Sequence, residues 1–403
     1  MNSVPVTPSE LLLLALAVIF IVPWVIWKAL RIPRTVPLVV VQIVTGILLG
    51  PGITGVLAPE WHGALFTDQT VGSLGTLGMW GVVLFVFTAG LELDLGGAWQ
   101  RRREASITAA LALGMPFLIG IGAALMLLTL GGNGWIGAKG TVVQFTAGMG
   151  MACAVTALPI LVLLLEQMQL LNTKLGQRVL AYASLDDVAL WGLLSLVLLD
   201  WERLARQAGF LIVFPIAALL MRRLLARTAE ADRWPLVMFW LAVVALAADW
   251  AGLHFMVGAF LAGLVIDAAM LGKARVEQFR GAILLALMPI FFLSTGLRTG
   301  WTMGGWAIIG SAALLLAAAV GGKLLGTAMA GRVLGWAKGE ALTVGWLLQT
   351  KALIMIVFAN VLLDRAIISD AAFTALLLMA VASTVLTMPA VRRVMARNGV
   401  GAG

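Results

Sequence analysis

Asp186 and Asp187 stand side by side in the middle of a long apolar segment, Tyr182-Ala183-Ser184-Leu185-Asp186-Asp187-Val188-Ala189-Leu190-Trp191. A carboxylate at bilayer depth costs about 2.5–3.5 kcal/mol on insertion scales, and two neighbouring ones also repel each other. Such a pair is retained where an ion, a proton or a buried cation compensates it. Two lysines, Lys323 and Lys351, lie inside other apolar segments, and two positive charges can neutralise two negative ones. Adjacent helical residues project about 100° apart. One carboxylate can therefore face a lysine while the other faces a water-filled cavity. A carboxylate in that second position takes either a proton or a monovalent cation. The competition between them is the chemistry of exchange. The plainer reading, a structural ion pair with no transport role, stays open at this level.

Other polar residues are weighed the same way. Thr156 belongs to Thr156-Ala157-Leu158-Pro159, inside an apolar run. Its hydroxyl either bonds a carbonyl one turn back or joins the charged site. Pro159 removes a backbone hydrogen bond and clashes with the preceding turn, so a break is expected near Ala157. Freed carbonyls at that depth are tolerated where they line a cavity or are buried in protein. Gln349-Thr350-Lys351-Ala352 contains no proline, so a second break near Thr350 does not follow from sequence alone. Glu92 and Asp94 read as an interfacial ion pair beside Arg101–Arg103, His254 as helix-end packing and Cys153 as packing. His62 falls in a loop.

Composition narrows the class. Of the 403 residues, 62% are hydrophobic and 11% charged, with mean hydropathy +1.04. A soluble domain is about 25% charged, so this composition is that of a polytopic membrane protein. The net charge of +8 needs only the cytoplasmic excess of Lys and Arg usual in such proteins and does not call for nucleic acid. One cysteine excludes an internal disulfide and a cysteine metal site. No nucleophile–base pair, metal-ligand cluster or phosphate loop stands out. The expectation is a transporter rather than an enzyme, with no cofactor beyond the transported ions.

Spans of about 17–25 apolar residues are read at about 9–30, 34–50, 72–92, 105–130, 142–165, 175–199, 208–226, 235–250, 252–270, 281–298, 303–330, 340–363 and 371–391. The first lacks a basic leader region and reads as a retained span. With the N-terminus outside, the Lys and Arg clusters (Lys28 to Arg34, Arg101–Arg103, Lys174 and Arg178, Arg222 to Arg233, Lys273 to Arg280, Arg332 and Lys338, Arg392 to Arg397) all fall on the cytoplasmic side. Lys139, Arg203, Arg206, Arg298 and Arg365 fall outside. This bias supports about thirteen spans and a cytoplasmic C-terminus. Spans four to six and eleven to thirteen then run in opposite directions, as in inverted-repeat transporters. No soluble domain is expected after the last span.

Taken in order, a set of motifs resembles the monovalent cation:proton antiporters, specifically the Kef-type and plant cation/proton exchanger branch of the sodium/hydrogen exchanger superfamily. The motifs are Pro37 to Gln42, Gly46 and Gly50-Pro51; Thr88-Ala89-Gly90-Leu91-Glu92-Leu93; Val155 to Pro159; Leu170 to Thr173; Asp186-Asp187; Gly252-Leu253-His254 through Gly258 to Gly263; Pro289 to Phe292 with Gly296-Leu297-Arg298; Gly322-Lys323; and Gln349-Thr350-Lys351. The family often has Asn-Thr-Arg/Lys-Gly-Leu where this chain has Gln349-Thr350-Lys351-Ala352-Leu353, and the family's soluble regulatory domain is not expected here.

The resemblance implies an all-α antiporter fold of about thirteen helices with two broken helices crossing at the site. In a single transport domain over 1–403, core helices (about 105–199 and 303–391) would move against scaffold helices (about 9–92 and 235–298), with a linker at about 208–226. Asp187 would bind cation and proton in turn, and so would hold the monovalent metal ion. Asp186 would pair with Lys323, and Lys351 would place its charge near the crossing. Ala157, Pro159 and Thr350 would mark the breaks, with Thr156 beside the ion. The implied activity is exchange of K⁺ or Na⁺ for H⁺. The implied setting is a homodimer in membrane lipid, at the bacterial inner membrane, with no nucleic acid and with any regulatory subunit a separate chain. A sodium-coupled organic-solute symporter of related architecture is the alternative, though it needs a roomier polar cavity. Sequence does not choose between Na⁺ and K⁺ or between electrogenic and electroneutral exchange.

Overall fold

The computed structural model describes residues 7–29, 38–92, 102–197, 201–297 and 305–398. The side chains of Asp187, Pro159 and Glu92, and the positions of Pro37, Asp94, Arg101 and Arg298, lie outside the described residues.

The described chain is helical, with one isolated bridge between Ile136 and Ile368. Among the described residues eight helices are long and apolar enough to cross a membrane, and shorter apolar helices lie between them. The protein is a multi-pass membrane protein. Eight long helices do not by themselves make the expected thirteen, because several expected spans fall on shorter or interrupted helices. Three boundaries also move. The expected spans at 208–226, 235–250 and 281–298 fall on helices that begin at Trp201, Glu230 and Lys273. Helices that outrun the bilayer keep their charged ends at its edge, where Lys and Arg snorkel. Hydropathy alone trims those turns.

The chain divides into two compact units, 1–85 with 274–303, and 86–273 with 304–403. The first holds α1 (Pro8–Ala29), α2 (Leu38–Leu49), α3 (Thr54–Leu57), α4 (Pro59–Leu65) and the start of α5 (Asp68–Glu92). Ala15, Ile19, Leu65, Phe66, Leu74, Ile290 and Leu293 form its apolar core.

The second unit carries the chemistry. It is built from α6 (Arg102–Gly131), α7 (Val142–Ala154), α8 (Leu158–Gln167), α9 (Lys174–Val197), α10 (Trp201–Arg227), α11 (Glu230–Trp250), α12 (Phe255–Leu264) and α13 (Ala268–Leu271). Two further helices, α14 (Lys273–Ala286) and α15 (Met288–Leu297), fall almost wholly in the first unit. The second unit then continues with α16 (Trp306–Leu334), α17 (Glu340–Leu347), α18 (Ala352–Asp364) and α19 (Asp370–Asn398). Local signals set the ends. Thr141 and Gln144 close a capping box on α7. His254 caps α12 by accepting from the Met256 amide. Gly335, in the left-handed conformation with φ 69°, ends α16.

Two triplets face each other: α6, α7–α8, α9 and α16, α17–α18, α19. At one end the loop after α6 pairs with the loop before α19. Gly137 N donates to Ile367 O (2.9 Å), Lys139 N to Ala366 O (3.0 Å) and Ser369 N to Trp135 O (3.0 Å). At the other end, Arg178 at the start of α9 bonds Glu104 at the start of α6 and Glu340 at the start of α17. Its guanidinium also lies 5.2 Å from the ring centre of Trp336, just past the end of α16. So α6 starts where α16 ends, α9 starts where α17 starts, and α19 starts where α6 ends. The triplets are inverted copies of one topology.

Packing between the triplets is tightest where α16 lies on α6. A Cβ on Gly322 would sit 2.4 Å from Pro116 Cα, and one on Gly326 would sit 2.2 Å from Leu111 O. Small residues let helix backbones approach in lipid, and here they bring Lys323, flanked by this contact, against the broken helix. Gly322→Val should therefore push α16 off α6 at a cost of about 1–3 kcal/mol or more. Thermal unfolding in detergent would show it as a clear drop in midpoint, whereas Gly321→Ala, where an added Cβ meets nothing within 4 Å, should be near neutral.

Candidate functional site

Each triplet has one interrupted helix, and the interruptions meet. Helix α7 stops at Ala154, and α8 begins at Leu158 with proline in its first turn. Between them Val155 and Ala157 are extended (φ −52°, ψ 142° and φ −92°, ψ 97°). Pro159 lacks an amide proton and cannot sit in a continuous helix here, so this break is written in sequence. The second break runs through Gln349 and Thr350, between Leu347 and the Lys351 cap of α18. It contains neither proline nor glycine. Contacts from outside the helix hold it open.

Those contacts are specific. Ala157 N donates to Thr350 O at 2.6 Å, and the Ser383 hydroxyl of α19 donates to Gln349 O at 2.7 Å. The Thr156 hydroxyl lies 3.0 Å from Leu348 O and 3.1 Å from Asp186 Oδ2. It has one proton to give, so it serves one of these acceptors at a time. The two unwound segments thus satisfy each other's backbone groups, which hydrocarbon would leave bare.

The charged groups complete the arrangement. Lys351 Nζ donates to Cys153 O (2.5 Å) and Val155 O (2.9 Å), the carbonyls released by the first break. Lys323 Nζ donates to Ala154 O (2.7 Å) and Thr156 Oγ1 (2.9 Å) and lies 3.3 Å from Asp186 Oδ2. Both lysines are fully buried, and Thr156 and Asp186 nearly so. The two ammoniums therefore cover three consecutive carbonyls of one helix. Only Lys323 is directly paired with a described carboxylate, so Lys351 brings a positive charge whose direct partners are carbonyls. Asp186 Oδ1 is buried and has no hydrogen-bond partner among the described residues.

The structure brings Asp186, Thr156, Ala157, Lys323, Thr350 and Lys351 to one place in the second unit. The backbone puts Asp187 next to Asp186 in α9, about 100° further round, and its side chain lies outside the described residues. Among the described residues no group of three or more His, Cys, Asp or Glu could hold a metal ion. His254, as expected, works at a helix end. Two features escaped the sequence reading. One is the buried Gln349 side chain, which stands in the sequence only as part of a motif. The other is the cluster of Arg178, Glu104, Glu340, Tyr182 and Trp336. Its one sequence signal was the i, i+4 spacing of Arg178 and Tyr182, whose Nε and hydroxyl oxygen lie 3.1 Å apart.

Residues 16–396 match the family model described as sodium/hydrogen exchanger, transmembrane. The chain is similar to Cation/H(+) antiporter 18 of Arabidopsis thaliana, with 30% identity over 95% of this chain and 49% of that protein. It is also similar to the Na(+)/H(+) antiporter NhaS4 of Synechocystis, with 28% identity over 89% of this chain and 91% of the relative. A third relative is K(+)/H(+) antiporter 1 of Saccharomyces cerevisiae, with 28% identity over 88% and 43% of the two chains. The chain spans about half the length of the Arabidopsis relative. Its fold is that of the sodium proton antiporter MjNhaP1 from Methanocaldococcus jannaschii at pH 8, with TM-score 0.67 at 13% identity over 97% of this chain and 99% of that one.

The buried pair makes an asymmetric prediction. Lys323→Met leaves Asp186 charged and uncompensated and should cost about 3–5 kcal/mol. The double variant Lys323→Met with Asp186→Leu removes both charges and should recover part of that loss, while Ala154 O stays without the Lys323 donor. Equal losses in thermal unfolding for the single and double variants would contradict the pairing.

Proposed function

This chain belongs to the sodium/hydrogen exchanger family, and on that premise we propose that it is a secondary antiporter exchanging a monovalent cation, K⁺ or Na⁺, for H⁺. The single observation that best supports this reading is the crossing itself. Two unwound helices are joined at Ala157 and Thr350, with two buried ammoniums on the freed carbonyls and Asp186 against Lys323. A scaffold helix pair built for strength alone has no need of such a centre, because charges buried in membranes are costly.

In the proposed cycle Asp187 is the exchanging carboxylate. It binds the cation from one side and releases it when a proton takes its place. Asp186 stays with Lys323 and Thr156, which keeps that ammonium neutralised while the site turns over. Lys351 supplies the positive charge that keeps an empty, ionised Asp187 from standing alone at mid-membrane. The broken helices let the site face either side with a small movement of the core, at about 105–199 and 303–391, against a scaffold at about 9–92 and 235–298. The linker runs at about 208–226. The transported ions are the only non-protein species required. The reading places the protein as a homodimer in the lipid of a bacterial inner membrane, N-terminus outside and C-terminus in the cytoplasm. Any regulatory subunit is a separate chain.

The decisive experiment uses acid-loaded proteoliposomes. Wild-type protein should alkalinise the lumen on addition of K⁺ or Na⁺, and Asp187→Asn should not. The cation ranking then gives selectivity, and the effect of clamping the potential gives electrogenicity. If neither cation moves protons in the wild type, the exchange reading is wrong.

A further inference from the structure

Gln349 lies in the unwound segment between α17 and α18 and is 1% exposed, and among the described residues neither its amide oxygen nor its amide nitrogen has a hydrogen-bond partner. Buried polar groups are almost always bonded, and one that is not calls for an explanation such as a bound ion. Its main chain is held from both sides. Gln349 O accepts from Ser383, and the neighbouring Leu348 O lies beside Thr156 Oγ1, the atom that also touches Asp186 and Lys323. The main chain of this segment therefore belongs to the immediate surroundings of the charged centre, and the buried amide is carried on it.

The oxygens around that centre can be sorted by what already occupies them. The carbonyls of Cys153, Ala154 and Val155 each carry a lysine ammonium. A second cation brought to the same oxygen would be repelled at short range in a low-dielectric site. The carbonyls of Gln349 and Thr350 accept from Ser383 and Ala157 N, and Leu348 O shares the single Thr156 proton with Asp186 Oδ2. Two buried side-chain oxygens are left without any partner among the described residues of the crossing, Asp186 Oδ1 and Gln349 Oε1.

We propose that the Gln349 amide is a neutral ligand of the transported alkali cation and sets the site's discrimination among monovalent cations. The inference rests on the exchange reading above and adds a residue to it. An amide oxygen coordinates an alkali cation through its lone pairs, as carbonyl oxygens do in ion filters. It is too weak a base to hold a proton at physiological pH. Gln349 therefore acts on one of the two competing ions and not on the other. Its reach from the main chain sets how closely the oxygen approaches the ion, which is where cations of different radius differ.

The test separates the two ions. Gln349→Leu keeps the volume and removes the amide. In proteoliposomes its apparent KM for K⁺ and Na⁺ should rise about tenfold or more, while the pH of half-maximal protonation, extrapolated to zero cation, stays at the wild-type value. Gln349→Asn keeps an amide on a shorter arm and should change the K⁺-to-Na⁺ preference. An unchanged KM in the Leu variant overturns the proposal, and a gain in thermal stability alongside would mark the amide as an unused buried group. A KM and a proton half-saturation that move together also overturn it, since that is the mark of a distorted site. Should the Leu variant fail to fold, the Asn variant decides, and an unchanged cation preference overturns the proposal. If the wild type exchanges nothing, the exchange reading falls separately. Thermal shifts of the detergent-solubilised protein in K⁺, Na⁺ and Li⁺ then decide for Gln349. Stabilisation by a cation in the wild type that is lost in the Leu or Asn variant supports it as a ligand, and identical shifts, or none, reject it.

Discussion

Everything at the centre of this molecule depends on the carbonyls of Cys153, Ala154 and Val155, which an interrupted helix leaves without amide partners at membrane depth. Hydrocarbon offers them nothing. The chain answers with ammonium groups, and that choice has consequences. An ammonium is a strong donor, but it imports charge, and charge in a low dielectric must be balanced. Lys323 is balanced by Asp186 at 3.3 Å, with Thr156 bridging the two. The glycines at 322 and 326 that let α16 lie on α6 exist, in this light, to deliver Lys323 to a helix end. One broken helix thus explains a lysine with its flanking glycine contact, an aspartate and a threonine, in three separate parts of the chain.

The inverted triplets are closed by different chemistry at their two ends. Main-chain hydrogen bonds join the loop after α6 to the loop before α19. That ladder is indifferent to side-chain identity and to salt. At the opposite end Arg178 gathers Glu104 and Glu340, Tyr182 donates to Glu104, and Trp336 stacks on Tyr182 with ring centres 6.2 Å apart. Tyr182 is buried, while the charged groups of Arg178, Glu104 and Glu340 are partly open to solvent. Their attraction weakens as the ionic strength around them rises. The fold's pseudo-symmetry is therefore one of backbone path and not of the forces that hold each end.

The sequence showed the all-helical membrane fold and the charged residues that meet at the crossing, but not the second break or the helix ends. Asp186, Lys323 and Lys351 stood out because charges inside apolar runs have few bland explanations, and the structure brings all three to one crossing. The first break was legible because proline has a definite local effect. The second was not. Gln349-Thr350-Lys351 would pass for ordinary helix, and what opens it is Thr156, Ala157 and Ser383, more than thirty residues away along the chain at the least. Long-range satisfaction of a backbone group leaves no local trace. Helix ends misled for a related reason. The charged turns at Trp201, Glu230 and Lys273 are helical, and hydropathy sees the bilayer rather than the helix.

Charge accounting at the crossing explains why exchange suits this geometry. Lys323 and Asp186 cancel each other locally. That leaves Lys351 as one positive charge and, on the proposed reading, Asp187 as one negative charge, so the empty site is neutral. A proton and an alkali cation each raise its charge by one, so electrostatics alone hardly distinguishes them as occupants. It does oppose taking both at once, because the second would add to a net positive centre at low dielectric. Competition therefore needs no separate gate in the site. What distinguishes the two ions must be coordination. A proton needs one basic oxygen, whereas an alkali cation needs several oxygens, neutral ones included. A crossing whose backbone carbonyls are mostly engaged draws on side chains for part of that set. On the proposed reading, the identity of residues such as Gln349, rather than the charge pattern shared by Asp186, Lys323 and Lys351, is where preference for one alkali cation over another resides.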